Sequence, residues 1–204
     1  MNADTTATSL LPDLQLCMAP TSMAATEQNT TKALVVAAQG ESIIVGANQT
    51  SFAKAGATVI AETGSVVYAL SGSNVIARSG SFVKAKTGAV VKALEGSVIV
   101  AETGSRVTAV AGAHVHVQRG SFVRASAGAM LELEFGAAQS VGAGVFVRAH
   151  AGAIVFASAG SLVQAEAGSK VVAETGSIVL AEFSAEVEAK IGSTITYIEN
   201  TIAA

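Results

Sequence analysis

The chain has 204 residues, of which 50% are hydrophobic, 13% are charged and 4% are aromatic, and its formal net charge is −3. Its 12 basic side chains are outnumbered by 15 acidic ones, which argues against a general nucleic-acid binder, because that binding depends on an excess of lysine and arginine. A single cysteine excludes an internal disulfide framework and a multi-cysteine metal site, and no apolar run is long enough for a transmembrane helix.

Residues 1–31 do not carry the repeat that follows, and we expect them to form a flexible or capping N-terminal segment. The apolar cluster LLPDLQLCM lies within this segment and could cover the first turn of the repeat or dock on a second protein. No basic start followed by an apolar stretch is visible. This pattern favours a cytoplasmic or virion-associated protein over classical secretion.

An octapeptide repeat extends over residues 32–199, is clear from residue 56 onward, and is followed by a short tail at 200–204. Its consensus is Gly-Ser/Ala-x-Val-x-Ala-x-x, as in the octads GSNVIARS and GSFVKAKT. In the 18 octads that begin at residue 56, the fourth position is Val, Ile or Leu 17 times, and the exception is Gln139. Such regularity indicates one structural unit repeated many times.

The even length of the repeat predicts β-strands. Side chains alternate between the two faces of a strand, so an octad sends positions 2, 4 and 6 to the same face in every copy. These positions are small or apolar and should point inward, whereas the variable positions 3, 5 and 7 should point outward. One octad cannot bury its own inner face, but a stack can. We therefore predict an all-β, single-chain β-solenoid with Val75, Val83 and Val91 in its interior.

The outward third position predicts how many octads make one turn. When it is read in every second octad, one series is almost entirely large and apolar, namely Val66, Phe82, Val98, His114, Met130, Phe146, Leu162 and Ile178. The other series is mixed, and reading every third octad gives no comparable separation. We therefore favour two octads per turn, with three octads per turn as the alternative.

The main irregularity of the repeat lies at residues 128–143. There Leu131, Leu133 and Phe135 replace smaller residues, and Gln139 and Gly142 depart from the consensus. This predicts either a bulge with a locally widened core or a break that accommodates a ligand.

The sequence offers no arrangement of residues typical of catalysis or of a cofactor site. His114 and His116 alternate outward on one strand and could both reach one Zn²⁺ or Ni²⁺, but two solvated histidines are the simpler interpretation. The outward acid pairs at 132/134 and 186/188 would lie on a convex face rather than in the cleft that a catalytic carboxylate pair requires. We expect a protein that is not an enzyme and that has no cofactor or metal.

Three outward pairs combine an aromatic with a basic side chain: Phe82 with Lys84, Phe122 with Arg124, and Phe146 with Arg148. Such pairs could stack on glycans or on nucleic-acid bases. In a two-octad turn they fall on both sides of the solenoid, so we interpret them as ordinary surface residues without a shared binding role. An ice-binding solenoid is a remote alternative, because it needs rows of outward threonines and those here are scattered.

The Gly-Ser-x-Val-x-Ala octad resembles the short-repeat β-solenoids of phage and bacterial surface or structural proteins. Its octapeptide step is similar to the triple-stranded β-helix of contractile-tail spike proteins. Its layout, a tail followed by an unbroken solenoid, resembles that of bactofilins, which are cytoskeletal polymers with a β-helix core. These resemblances are architectural, and they imply a structural role rather than a specific ligand.

We therefore expect a structural protein that associates with itself into a filament, shell or fibre. The apolar third-position series would be too long an exposed patch for a monomer. The residues predicted to make this contact are Val66, Phe82, Val98, Met130, Phe146, Leu162 and Ile178. The alternative is a spike or adhesin module of a phage or cell surface in which the solenoid is a rigid spacer. No nucleic-acid partner is expected, and a second protein could bind through residues 1–31.

Overall fold

The computed structural model describes residues 33–198, which form a parallel β-solenoid that contains no helix. The predicted N-terminal segment (residues 1–31) and C-terminal tail (residues 200–204) lie outside this described range. No α-helix that could cross a lipid bilayer occurs among the residues that the structure describes.

The described chain contains 21 short strands, most of four residues. In chain order they are β1 (Ala33–Ala37), β2 (Ser42–Val45), β3 (Gln49–Ala53), β4 (Thr58–Ala61), β5 (Val66–Ala69), β6 (Asn74–Ala77), β7 (Phe82–Ala85), β8 (Val90–Ala93), β9 (Val98–Ala101), β10 (Arg106–Ala109), β11 (His114–Val117), β12 (Phe122–Ala125), β13 (Met130–Leu133), β14 (Ala138–Val141), β15 (Phe146–Ala149), β16 (Ile154–Ala157), β17 (Leu162–Ala165), β18 (Lys170–Ala173), β19 (Ile178–Glu182), β20 (Glu186–Ala189) and β21 (Thr194–Ile198).

Except for β12 and β14, each strand pairs in parallel with the strand two places along the chain, in a register of two octads. Val75, for example, lies opposite Val59 on one side and Val91 on the other. The predicted two octads per turn are thus confirmed, and the three-octad alternative is wrong. The eleven odd-numbered strands form one uninterrupted sheet, which we call the continuous face. The even-numbered strands form two sheets, β2 to β12 and β14 to β20, which we call the interrupted face.

The interior consists of the second, fourth and sixth residues of each octad, as the even repeat length predicts. Val75, Val83 and Val91 are each at most 2% exposed. Alanine at the sixth position and serine or alanine at the second position fill the remaining space, so the two faces lie close together around a thin core. Each buried valine contributes roughly 1.5–3 kcal/mol, and the stack shares this contribution along its whole length.

The corners between strands are tight turns that the glycine and serine of the octad make possible. In one representative corner, Gly64 has a φ of +75°, which disfavours residues with a β-carbon. The next residue, Ser65, donates twice to the carbonyl of Glu62, from its main-chain N–H at 3.0 Å and from its hydroxyl at 2.6 Å. The inward serine hydroxyl therefore finds its partner within its own corner, and no ladder of serines between turns is needed.

Main-chain hydrogen bonds also join successive corners along the solenoid. On one side an unbroken column runs from Asn48 to Gly192, in which each N–H donates to the carbonyl one turn further on. On the other side the column stops at Gly120, whose N–H makes no such bond to Gly136, and it resumes from Gly136 to Ser184. The interruption coincides with the missing pairing between β12 and β14.

The break lies where the core is overfilled. Between residues 117 and 145, inward positions that are usually alanine, valine or serine carry larger or polar side chains, namely Val117, Leu131, Leu133, Gln139, Val141 and Val145. A thin core has no room for this extra volume, and overpacking forces the surrounding backbone to move. The continuous face keeps its pairing through β11, β13 and β15, so the expansion opens the opposite face.

Candidate functional site

The apolar third-position residues form a line on the continuous face, which we call the apolar stripe. Strand pairing places its members opposite one another in successive turns, in the order Val66, Phe82, Val98, His114, Met130, Phe146, Leu162 and Ile178. The structure thus brings all seven residues predicted for self-association into one row. With turns about 4.8 Å apart, the row is about 34 Å long.

The side chains of the stripe are accessible. Phe82 is 36% exposed, Met130 is 40% exposed and Ile178 is 45% exposed, and the other apolar members are half-buried between them. His114 is the one polar member and is exposed. Because the sheet beneath the row is uninterrupted, these side chains lie on a regular surface that a flat partner could cover.

A chain of ion pairs runs beside the stripe, at the fifth and seventh octad positions of β11 to β17 and the corners that follow them. The distances are 2.8 Å from His116 Nδ1 to Glu132 Oε2 and 2.7 Å from Glu132 Oε1 to His150 Nε2. The chain of ion pairs continues with distances of 2.7 Å from His150 Nδ1 to Glu166 Oε2 and 2.8 Å from Glu166 Oε1 to Arg148. Five charged or titratable side chains thus cross four consecutive turns of the continuous face.

The two carboxylates shift the titration of the imidazole between them. Hydrogen bonds with Glu166, and secondarily with Glu132, raise the pKa of His150 above its usual 6.5, against the opposing effect of partial burial. Partial burial alone would raise the pKa of Glu166, but its hydrogen bonds with His150 and Arg148 hold that pKa below 4.5. The charged forms of both partners are therefore favoured in the folded protein.

This network is not among the features predicted from the sequence, because the predicted pairs lie within one strand. Such pairs connect neither His150 with His116 nor either histidine with the acids. The available signal is the length of a turn, since Glu132 follows His116 by two octads and Glu166 follows His150 by two octads. Spacing by one full turn, rather than by two residues along a strand, brings these side chains together.

The break in the interrupted face opens a cleft between β12 and β14, with a volume of about 560 Å³. Gln139 lies at the buried fourth position, and its Nε2 donates to the carbonyl of Ser121 at 3.3 Å. In a regular turn that carbonyl would receive the main-chain N–H of Ala138, as the carbonyl of Ala137 receives that of Ile154. The irregularity predicted at residues 128–143 is therefore an opening of the sheet.

Basic side chains lie on one side of this cleft, where Arg106 and Arg124 line it and Lys92 lies opposite Thr108 in the neighbouring turn. Lys92, Arg106 and Arg124 are exposed and make no ion pair within residues 33–198. The even-numbered strands from β6 to β16 carry no acidic residue. Phe122 lies opposite Arg106 in the ladder, and its side chain is 67% exposed. We call Lys92, Arg106, Phe122, Arg124 and the opening beside them the basic cleft.

The structure gives different surroundings to the histidines and acid pairs singled out from the sequence. Among the described residues, no three His, Cys, Asp or Glu side chains are arranged to hold a metal ion, so His114 and His116 carry no metal-site proposal. Of the acid pairs, Glu132 joins the histidine network and Glu186 binds Lys170 at 2.6 Å.

The three pairs of an aromatic with a basic side chain are distributed over both faces. Two of them lie on the continuous face, in β7 and β15, and the pair of Phe122 with Arg124 lies on the interrupted face, in β12. The structure therefore does not bring the three pairs together, as the two-octad turn predicts.

No protein-family model matches the sequence, and no curated protein matches it. Among solved structures, the fold is similar to a TibC-catalysed, hyper-glycosylated TibA fragment that spans residues 55–350 of TibA. The TM-score is 0.52, the sequence identity is 18%, and the alignment covers 84% of this chain and 79% of that chain. At this identity the likeness concerns the fold alone, and it agrees with the predicted β-solenoid architecture.

Proposed function

We propose that the protein is a non-enzymatic structural protein that associates with itself laterally through the apolar stripe. The observation that carries the proposal is the alignment of seven large apolar side chains in one accessible row on the continuous face. Covering such a row removes apolar surface from water, at about 25 cal/mol for each Å². A row about 34 Å long also exceeds the scattered single apolar residues that an ordinary monomer exposes.

The uninterrupted pairing of the continuous face supports the same proposal. Eleven strands in unbroken parallel register present the stripe at a constant spacing, so two copies can align many side chains at once. The ion pairs beside the stripe neutralise most of the charge next to it, which lowers the desolvation cost of covering that surface.

Light scattering on the purified full-length protein tests this proposal. We expect an oligomeric wild type, and Phe82→Glu combined with Phe146→Glu should return it to monomer, because both changes place a charge in the contact. The matched control is Ile76→Glu combined with Ile154→Glu, which also replaces two outward apolar residues by glutamate, but on the interrupted face. A monomeric wild type, or an unchanged mass of the stripe variant, contradicts the proposal.

A second candidate function is a binding module whose solenoid is a rigid spacer. The observation that favours it is the basic cleft, because an opening of about 560 Å³ in an otherwise regular sheet is the kind of site where a ligand enters. Under this alternative the stripe variant would still bind the ligand, whereas variants with substitutions at the cleft would not. The two functions are compatible, since they use opposite faces.

A further inference from the structure

We propose that the basic cleft binds an acidic polysaccharide, that is, a chain of sugars carrying carboxylate or sulfate groups. The inference concerns the interrupted face and does not depend on self-association through the apolar stripe. It rests on three features of the described residues: an excess of unpaired positive charge, an exposed aromatic ring, and main-chain groups released by the break in the sheet.

The charge distribution is the first feature. The whole chain has a net charge of −3, yet its acidic side chains avoid the strands around the cleft. Most other cations of the described chain are held by carboxylates, for example Lys86 by Glu102 at 2.8 Å. Lys92, Arg106 and Arg124 have no such partner there, so they are free to bind anionic groups of a ligand.

The relative positions of these residues, with the aromatic ring among them, are the second feature. Arg106 lies opposite Phe122, and Thr108 lies opposite both Arg124 and Lys92 in the neighbouring turns. The two arginines are therefore diagonal neighbours, roughly 7–8 Å apart at the backbone, with the ring of Phe122 beside them. An aromatic face flanked by cations can pack against the apolar face of a sugar ring while the arginines bind its acidic groups.

The broken ladder is the third feature. Gly120 and Ala138 line the cleft, and within the described chain neither main-chain N–H makes the bond to a neighbouring turn that the regular octads make. Gly120 and Ala138 are exposed, so these N–H groups are accessible as donors to a ligand. Hydroxyl and carboxylate oxygens of a saccharide are suitable acceptors, and a space of about 560 Å³ is within the usual size of a small-molecule site.

The same geometry disfavours other anions. A peptide added as a strand between β12 and β14 would need both edges free, but Gln139 ties them together through its bond to Ser121. Single-stranded nucleic acid is bound by several aromatic side chains on which successive bases stack, whereas the lining of the cleft offers Phe122 alone. The cleft therefore fits a sugar chain better than it fits either polymer.

The test compares four ligands of equal length on the full-length protein by calorimetry: a heparin hexasaccharide, maltohexaose, hexaglutamate and hexathymidylate. We expect the heparin hexasaccharide to bind with an affinity that falls as salt is added, and to bind more tightly than the other three. Arg106→Ser and Arg124→Ser should each weaken its binding by about tenfold or more, because each loses hydrogen bonds to a charged group. Phe122→Ser should also weaken it, without changing its salt dependence.

The matched control is Lys170→Ser combined with Lys190→Ser, which removes two cations that carboxylates already hold on the same side of the solenoid. It removes two positive charges, one more than either arginine variant does, and we expect it to keep the wild-type affinity. All these side chains are exposed, so the thermal unfolding curves should confirm that the variants fold. The proposal is wrong if the heparin hexasaccharide does not bind, if the control weakens binding as much as the arginine variants, or if hexaglutamate or hexathymidylate binds more tightly.

Discussion

The Nδ1 atom of His150 lies 2.7 Å from the Oε2 atom of Glu166, one turn further along the solenoid. Its other ring nitrogen lies 2.7 Å from Glu132, so both nitrogens face carboxylate oxygens. An ionised carboxylate can accept hydrogen bonds but cannot donate one. An imidazole donates from both nitrogens only when it is protonated. This contact is therefore strongest when His150 is charged.

The stability of the protein should consequently depend on pH near neutrality. The pKa of His150 is raised in the folded state, so its contribution is complete below about 6.5, the unfolded value, and is lost as the pH rises through the raised pKa. The pKa of Glu166 is lowered, so its contribution is present above 4.5 and is lost as the pH falls through the lowered value. Because the network is partly solvated, the effect should be about 1 kcal/mol or less.

Thermal unfolding followed by circular dichroism measures this dependence. We expect the wild type to lose stability between mildly acidic and mildly alkaline pH, and His150→Gln to lose less over the same interval. His114→Gln is the matched control, because His114 makes no ion pair within the described residues. If His150→Gln keeps the full pH dependence of the wild type, the network is not its source.

A second prediction concerns two glycines of one corner. Gly144 has a φ of +72°, and a β-carbon added to it would lie 2.9 Å from Cβ of Ala127 and 3.3 Å from its Cα. Gly142 has no positive φ, and an added β-carbon would meet nothing within 4 Å. Gly144→Ala should lower the free energy of unfolding by about 1–2 kcal/mol or more, whereas Gly142→Ala should leave it unchanged or raise it by about 0.4–1 kcal/mol. Equal midpoints of urea unfolding for the two variants would contradict this account of the corner.

A third prediction concerns the buried amide in the break. Gln139→Val restores the consensus at a fourth position that is only 8% exposed. It should raise the free energy of unfolding by about 1 kcal/mol, because it removes a buried polar group that is held by one long hydrogen bond. Val155→Gln, the reverse change at the same position one turn further on, should destabilise the protein by about 1–3 kcal/mol. Calorimetric melting of both variants provides the measurement, and a destabilised Gln139→Val would mean that the amide supports the opening rather than straining it.

A fourth prediction concerns the direction of pairing in the oligomer. If two stripes meet in opposite directions, around a two-fold axis perpendicular to the row, the residues next to the centre of the row lie close to their own copies. Met130→Cys, in a background of Cys17→Ser, should then form a dimer with a short bismaleimide. Ile178→Cys lies at the end of the row and should not, because its copy would be about 34 Å away. Ile154→Cys on the interrupted face is the control for random collision, and a Met130→Cys protein that links no more than this control would argue against contact through the stripe.

Much of the fold follows from the even length of the octad and from the apolar stripe. The even octad determines that Val75 and Val83 point into the core, and the recurrence of large apolar residues at Val66, Phe82 and Val98, in every second octad, indicates the length of a turn. Both inferences need only the alternation of side chains along a strand, which is a local property. That is why they are confirmed by the structure.

The networks on the surface and the site of the break depend on more than alternation. The contact between His150 and Glu166 needs side-chain reach between turns, which no pattern within one octad contains. Leu131 and Leu133 mark an irregular segment, but they belong to β13 on the continuous face, and the sheet opens on the opposite face. Which face opens around an overfilled core depends on the packing of both faces. The sequence of one strand does not contain that information.

The column of corner hydrogen bonds from Asn48 to Gly192 gives the molecule a built-in direction. Every N–H in it donates toward the C-terminal end and every carbonyl accepts from the N-terminal side, so these peptide dipoles all point the same way and reinforce one another. Any end-to-end contact that prolongs the column must therefore join a C-terminal end to an N-terminal end. Copies linked in this manner would all share one orientation, and the resulting thread would be polar, with two chemically different tips.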